Sequence, residues 1–264
     1  MKQSYFSDPS NFKPISERIW SLGLPTCDST HLFVSENKNI FLKNMINCDA
    51  LMVYTNHQTG GIGRYGKSWI SPDSGLYTTW LLKRDQNLWG QQPQICTIGL
   101  AAACCEFLKK IGLNPRLKWP NDVWLDDCKL AGVLASFDLS DPTHLILSIG
   151  INLKVSSEQN YAGTRKITGI YNHSSDCMSN EVILKSLWHE FSNYWTVKYP
   201  TNLMSLVDQF NFKKNTKVQI LQEKSPIMGY IWNVNENGLL QLRLDDGKII
   251  ELSSSQAENL TFLN

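Results

Sequence analysis

The stretch KWPNDVWLDDCKLAG, residues 118–132, carries the reading of the fold. A short strand-like run, RLKWP, ends at Trp119–Pro120, where the proline removes a backbone donor and fixes φ. Asn121 and Asp122 then fall in a turn, where short polar side chains can reach a metal ion or hydroxyl groups. The LDD segment reads as a hairpin turn between this run and a second strand, KLAGVLASF. Lys129 opens that otherwise apolar strand, eleven residues past Lys118. A lysine at the mouth of a buried strand either meets an anion or extends its stem so that the ammonium reaches solvent.

Working outward, a third strand-like run, HLILSIGINL, follows, and LMVYT (51–55) and GLYTTWLL (75–82) read as strands upstream. Between those two lies TGGIGRYGKSW, residues 59–69, whose glycines permit close backbone approach and positive φ. Arg64 and Lys67 give that loop cationic character, and Trp69 gives it a fixed end. The apolar spacing of Ile95, Ile98, Ala102 and Cys105 predicts a helix from Pro93 to about Gly112. Leu184, Leu187, Trp188, Phe191 and Trp195 form one stripe of a helix over residues 181–195, and a further helix is predicted over 202–212. Beyond it the texture changes to TKVQIL, IMGYIWNV, GLLQLRL and KIIELS, separated by Asn-Glu-Asn-Gly and Asp-Asp-Gly hairpin signals. The chain is therefore expected to divide into a mixed α/β domain, 1–212, and a small all-β module, 213–264.

Bulk properties narrow the function classes. A hydrophobic share of 42% and a charged share of 19% over 264 residues describe a globular protein with a sizeable core. The net charge of +1 gives no whole-molecule case for nucleic acid. The first residues, MKQSYFSDPS, lack a secretory or transit pattern, and no apolar run approaches the roughly 20 residues of a spanning helix. Seven cysteines without a C-x-x-C read as reduced, buried residues of a cytoplasmic protein. The five histidines are scattered and do not suggest a zinc site. Trp119 and Trp124 are expected in packing or positioning roles, and the Cys104–Cys105 pair in helix packing.

Four segments in order, DSTH (28–31), HQTGGIGRYGKSW (57–69), KWPNDVWLDDCKLAG and SIGINL (148–153), resemble the biotin protein ligase family, in the form without an N-terminal DNA-binding domain. The resemblance implies an α+β fold. It would be a mixed, largely antiparallel sheet flanked by helices, related to class II aminoacyl-tRNA synthetases, with a small C-terminal SH3-like β-barrel. It implies ATP-dependent biotinylation of a lysine on a biotin carboxyl carrier protein through biotinyl-AMP, with ATP and Mg2+ as cofactors. By similarity, Ser29, Thr30, His31, Gln58, Gly61, Ile62, Gly63 and Gly132 contact biotin, and Arg64 and Lys129 are catalytic where its carboxylate meets the α-phosphate. Lys67, Trp69, Lys118, Asn121, Asp122 and Asn152 would take the nucleotide, with Asn121 and Asp122 also the candidates for the metal.

Three departures from the family pattern stand out: His31 replaces an asparagine, Ile62 replaces an arginine, and Tyr65 replaces a basic or small residue. A related lipoate- or octanoyl-transferring enzyme is the nearest alternative, its cysteine-nucleophile version requiring a thiolate-favouring cysteine. A biotin-responsive repressor is disfavoured, since only 28 residues precede STH and they are not basic. A biotin-binding module without catalysis is disfavoured by the retention of Arg64 and Lys129. No DNA or membrane partner is expected, and a weak homodimer is left open.

Overall fold

The computed structural model describes residues 11–44, 48–72, 74–83, 93–137, 141, 143–158, 161–162, 165–195, 201–211, 213–221, 225–257 and 260–263. The MKQSYFSDPS reading lies outside them.

Eight strands form the main sheet: β1 (Lys13–Ser16), β2 (Ile19–Leu24), β3 (Ala50–Thr55), β4 (Ser74–Lys83), β5 (Arg116–Lys118), β6 (Asp122–Leu125), β7 (Cys128–Phe137) and β8 (His144–Lys154). Their order is β1-β2-β3-β4-β8-β7-β6-β5, and only β2–β3 is parallel, so the sheet is mixed and largely antiparallel. The side-chain alternation of a strand explains its two faces. On β3, Ala50 and Met52 join one buried cluster, while Leu51 and Val53 join the other. Helix α1 (Thr30–Glu36) and helix α2 (Lys38–Asn44) place Val34 and Phe41 in the smaller cluster. Helix α3 (Pro93–Lys110), helix α4 (Asn180–Trp195) and helix α5 (Thr201–Phe210) cover the opposite face. There Trp80 packs edge-on against Trp188 and Phe191, and Phe191 stacks on Trp195, the stripe expected for α4.

The expected hairpin is tight. Asp126 and Asp127 both adopt positive φ, 47° and 59°, as a two-residue turn between right-twisted strands requires. One expectation is corrected. Asp122 is not in the turn but is the first residue of β6, paired with Lys118 and Gly132. The turn covers 119–121, and the Trp119–Pro120 peptide is cis. Helix α3 ends as expected at Gly112, whose φ of +85° suits glycine.

A two-stranded ribbon, β9 (Tyr161–Ala162) and β10 (Arg165–Lys166), precedes α4. The C-terminal strands are β11 (Lys217–Ile220), β12 (Ile227–Val234), β13 (Leu240–Arg243), β14 (Ile249–Leu252) and β15 (Leu260–Phe262). They form an antiparallel sheet in the order β14-β13-β12-β11-β15, consistent with the expected SH3-like module though not closed into a barrel among the described residues. Its inner residues Val218, Ile220, Ile231 and Leu242 belong to the same buried cluster as α3 and α5. The sheet buries its apolar face on those helices, which supplies the covering layer that barrel closure would otherwise provide. Gly238, in the Asn-Glu-Asn-Gly turn, accepts hydrogen bonds from Gln94 and, at 2.9 Å, from Trp119 Nε1.

Candidate active site

A cavity of about 240 Å³ opens on the α1 face of the main sheet. Its floor is the register of β4, β8 and β7, in which Tyr77 and Gly132 both lie opposite Gly150, and Thr79 and Leu134 opposite Ser148. The two glycines matter because the Trp69 indole lies on them. A Cβ at Gly132 would stand 2.8 Å from the Trp69 ring, and one at Gly150 would stand 3.0 Å from it. The ring also receives Lys129 Nζ at 5.0 Å from its centroid, and its buried Nε1 has no hydrogen-bond partner among the described residues.

Residues 61–69 form a small closed loop. Ile62 and Ser68 make an antiparallel bridge, Gly63 N donates to Lys67 O at 2.6 Å, and Trp69 N donates to Gly61 O at 2.9 Å. A 3-10 turn over Arg64–Gly66 carries the reversal, with Tyr65 at φ 57° and Gly66 at φ +71°. Gly61 serves through close approach instead: a Cβ there would stand 2.6 Å from Gln58 Nε2. Most of the loop's glycine content thus reflects backbone packing, and only Gly66 uses the left-handed region.

One end of the cavity is neutral. Ser29 caps α1 by accepting from Leu32 N at 3.4 Å, which fixes Thr30 and His31 in its buried first turn. Thr30 N donates to Gln58 Oε1 at 3.0 Å, and Gln58 Nε2 donates to Ser71 Oγ at 3.3 Å. His31 Nδ1 lies 2.7 Å from Ser148 Oγ, and its Nε2 lies 3.0 Å from Ser136 Oγ. Thr79 Oγ1 donates to Thr30 Oγ1 at 2.9 Å and lies 2.8 Å from Ser148 Oγ. Burial holds the His31 imidazole neutral, its pKa lowered from 6.5 to about 4.

The other end is cationic. Lys129 Nζ lies 2.6 Å from Asp122 Oδ1, with side-chain exposures of 15% and 12%, so the lysine pairs rather than reaching for solvent. Arg64 Nη1 donates to Asn121 Oδ1 at 3.3 Å, and its Nη2 donates to Tyr65 OH at 2.9 Å. Lys118 Nζ sits over the Trp124 ring at 4.5 Å and the Phe262 ring at 5.1 Å. The donor set does not make a Mg2+ site of the protein's own. Asp122 is the one carboxylate lining the cavity and is already on Lys129, and no group of three acidic, histidine or cysteine ligands exists among the described residues. Asn121 is occupied too, its Oδ1 by Arg64 and its Nδ2 by Val133 O at 2.8 Å.

The cavity brings together Ser29, Thr30, His31, Gln58, Ile62 and Gly63, and with them Arg64, Lys67, Trp69, Lys118, Asn121, Asp122, Lys129 and Gly132. Gly61 and Asn152 do not line it; Asn152 is 1% exposed, and its Oδ1 has no partner among the described residues. Sequence reasoning missed Ser148 and Tyr77, whose site role depends on strand register, and Ser254, Ala257 and Leu260, which reach the cavity from the C-terminal region. Cys104 and Cys105 are fully buried in α3. Burial pushes the Cys104 thiol up to about 12 and Cys105 well up, the opposite of a nucleophile.

Residues 34–154 match the family model described as the Biotin/lipoate A/B protein ligase family. The bifunctional ligase/repressor BirA of Escherichia coli is 31% identical over 134 residues, which cover 49% of this chain and 39% of BirA. The biotin–protein ligase of Homo sapiens is 25% identical over 76% of this chain and 29% of its own length. The chain thus spans well under half the length of these relatives. Among solved structures, the Aquifex aeolicus biotin protein ligase in complex with biotin and ATP superposes with a TM-score of 0.71 over 92% of this chain and 98% of that one, at 21% identity. That likeness extends the shared fold across both sheets. Over residues 34–154 the chain is thus similar to the Biotin/lipoate A/B protein ligase family.

Proposed function

We propose that this chain is an ATP-dependent biotin–protein ligase. The observation that carries the reading is the polarity of one cavity. One end is neutral and rich in hydroxyl and amide groups, and the other end holds Lys129, Arg64 and Lys118. A cyclic urea needs neutral donors and acceptors, whereas a carboxylate joining a phosphate needs cations. A dithiolane head, as in lipoate, lacks a carbonyl to accept the Thr30 hydroxyl proton, whose protein acceptor Gln58 Oε1 is 3.5 Å away, and this disfavours it.

In the first step a biotin carboxylate oxygen bonds to the α-phosphorus of ATP, the α–β anhydride bond breaks, and pyrophosphate leaves. In the second step the neutral amine of a carrier lysine attacks the acyl carbon, the acyl–oxygen bond breaks, AMP leaves, and the amine gives up a proton. Lys129 and Arg64 oppose the charge that gathers on the transferring oxygens in both steps, a stabilisation fixed before reaction begins. For Lys129 to do this, the incoming anions take the place of Asp122 as its partner. A magnesium ion arriving with ATP would supply charge neutralisation of its phosphates, and the described residues offer it no ligand cage of their own. Trp69, seated on Gly132 and Gly150, anchors the loop that separates the mixed anhydride from water.

Residues 1–212 would form the catalytic unit and 213–264 a module that contributes to the cavity wall through Ser254, Ala257 and Leu260. No described helix is long and apolar enough to cross a membrane. The deciding experiment is exchange of labelled pyrophosphate into ATP with biotin, lipoate or neither, followed by mass measurement of a carrier domain. Exchange and a mass gain with biotin alone are expected. Lipoate-dependent exchange would reassign the substrate.

A further inference from the structure

We infer that His31 is a positioning residue rather than a ligand contact: as the Nδ1–H tautomer, it sets the donor direction of a hydroxyl chain that ends at Thr30. The inference rests on the biotin reading for its functional consequence, and on the geometry alone for its tautomer. Both ring nitrogens are engaged, by Ser148 Oγ at 2.7 Å and Ser136 Oγ at 3.0 Å, so the imidazole has no donor left for a ligand. Each hydroxyl has one proton, and this fixes the direction. Thr79 donates its proton to Thr30 Oγ1. The 2.8 Å contact between Thr79 and Ser148 must therefore use the Ser148 proton. Ser148 then has none for His31, so His31 Nδ1 must carry the hydrogen and donate. Its Nε2 is left as an acceptor for the Ser136 hydroxyl.

At the far end Thr30 accepts from Thr79, and its own proton points out of the chain. Its acceptor among the described residues, Gln58 Oε1, is 3.5 Å away, at the outer limit of a hydrogen bond. That proton is available to a carbonyl oxygen in the cavity, such as that of a cyclic urea. With the opposite tautomer every bond reverses, and Thr30 presents a lone pair to the same carbonyl. The imidazole is neutral at physiological pH because it is buried, so tautomer rather than charge is the variable.

Ser136 gives a clean test because it touches His31 yet does not line the cavity. Ser136→Ala removes the donor to Nε2 and with it the preference for Nδ1–H. The experiment records long-range ¹H–¹⁵N correlations of ¹⁵N-histidine-labelled protein without ligand, alongside pyrophosphate-exchange kinetics. Wild type should show His31 as Nδ1–H. Ser136→Ala should shift it toward Nε2–H and raise the biotin KM about three- to tenfold, the range for one hydrogen bond, with kcat unchanged. Ser136→Thr, which keeps the hydroxyl, should restore both readouts. A wild-type Nε2–H tautomer, or an unaltered KM in Ser136→Ala, would overturn the inference. If wild type does not use biotin at all, the enzyme reading fails, while the tautomer in the free protein still decides the direction of the chain.

Discussion

The two ends of the cavity solve opposite problems. At the neutral end, His31, Ser148, Thr79, Thr30 and Gln58 are already bonded to one another, so the ligand meets a preset arrangement. At the cationic end, Lys129 is held by Asp122, Arg64 by Asn121 and Tyr65, and the Trp69 Nε1 has no hydrogen-bond partner among the described residues. There a ligand has to displace or complete existing bonds. The difference teaches that the cavity keeps two separate electrostatic environments: under the proposed function, fixed dipoles would select the head group, and exchangeable ion pairs would meet the reacting oxygens.

The largest expected effect breaks the cationic end. Lys129→Ala should lower biotin-dependent pyrophosphate exchange about 10²–10³-fold, as loss of one preorganised electrostatic group does. Biotin should still bind, measured calorimetrically, because its head group is held at the other end. Near-wild-type exchange would remove Lys129 from the chemistry.

Legibility divides along a related line. The residues that line the cationic end were readable because KWPNDVWLDDCKLAG and the glycine loop are contiguous, and the hairpin, α3 and α4 were readable from turn residues and apolar spacing. What the sequence could not supply is pairing across distance. Asp122 as the partner of Lys129 depends on β6 lying beside β7, and Ser148 reaches His31 only through the β4–β8–β7 register. Strands β1 and β2 and helices α1 and α2 escaped notice because they are short, four to seven residues each, and carry too few turns of periodicity to register. The small all-β C-terminal module was readable from its short strands and turns, whereas the seating of its apolar face on α3 and α5 was not.

A pH titration sharpens the neutral end. The pKa of His31 falls from 6.5 to about 4 on folding, so between those values the unfolded chain binds a proton that the folded protein does not. Stability from this group is therefore complete above pH 6.5, declines as pH falls toward 4, and is flat below. Urea unfolding should lose about 2–3 kcal/mol between pH 7 and 4.5 through this group. His31→Asn should remove that part of the slope, and an identical slope in the variant would show that other groups are responsible.

Asp122→Asn probes the exchange of partners on Lys129. Removing the carboxylate leaves a mostly buried ammonium without its anion, and the free protein should lose about 2–3 kcal/mol of stability. Anionic ligands should restore more in the variant than in wild type, because they bring a new partner to the lysine. The rise in melting temperature on adding biotin and ATP is the measurement. An equal rise in both proteins would mean that the Asp122–Lys129 pair persists in the complex.

The smallest effect concerns the loop over the cationic end. Arg64 is bonded across the cavity to Asn121 Oδ1 and beside it to Tyr65 OH, which in turn lies 3.5 Å from Ser254 Oγ in the C-terminal region. One guanidinium therefore links the loop, the 119–121 turn and, through Tyr65, the segment before β15. A hydrogen bond to a charged group contributes about 1.5–3 kcal/mol, and the Arg64–Asn121 contact is long at 3.3 Å, so the low end applies. Arg64→Ala should then speed escape of the acyl-adenylate by about tenfold, the equivalent of 1.4 kcal/mol. Tyr65→Phe, which keeps the ring and loses only the hydroxyl contacts, should speed it by about two- to threefold. Escaped adenylate acylates any accessible amine, so biotin incorporated into an unrelated lysine-rich protein reads the leak directly. A bystander labelled no faster by Arg64→Ala than by wild type, with adenylate still forming, would assign loop closure to Trp69 and its seat on Gly132 and Gly150 instead.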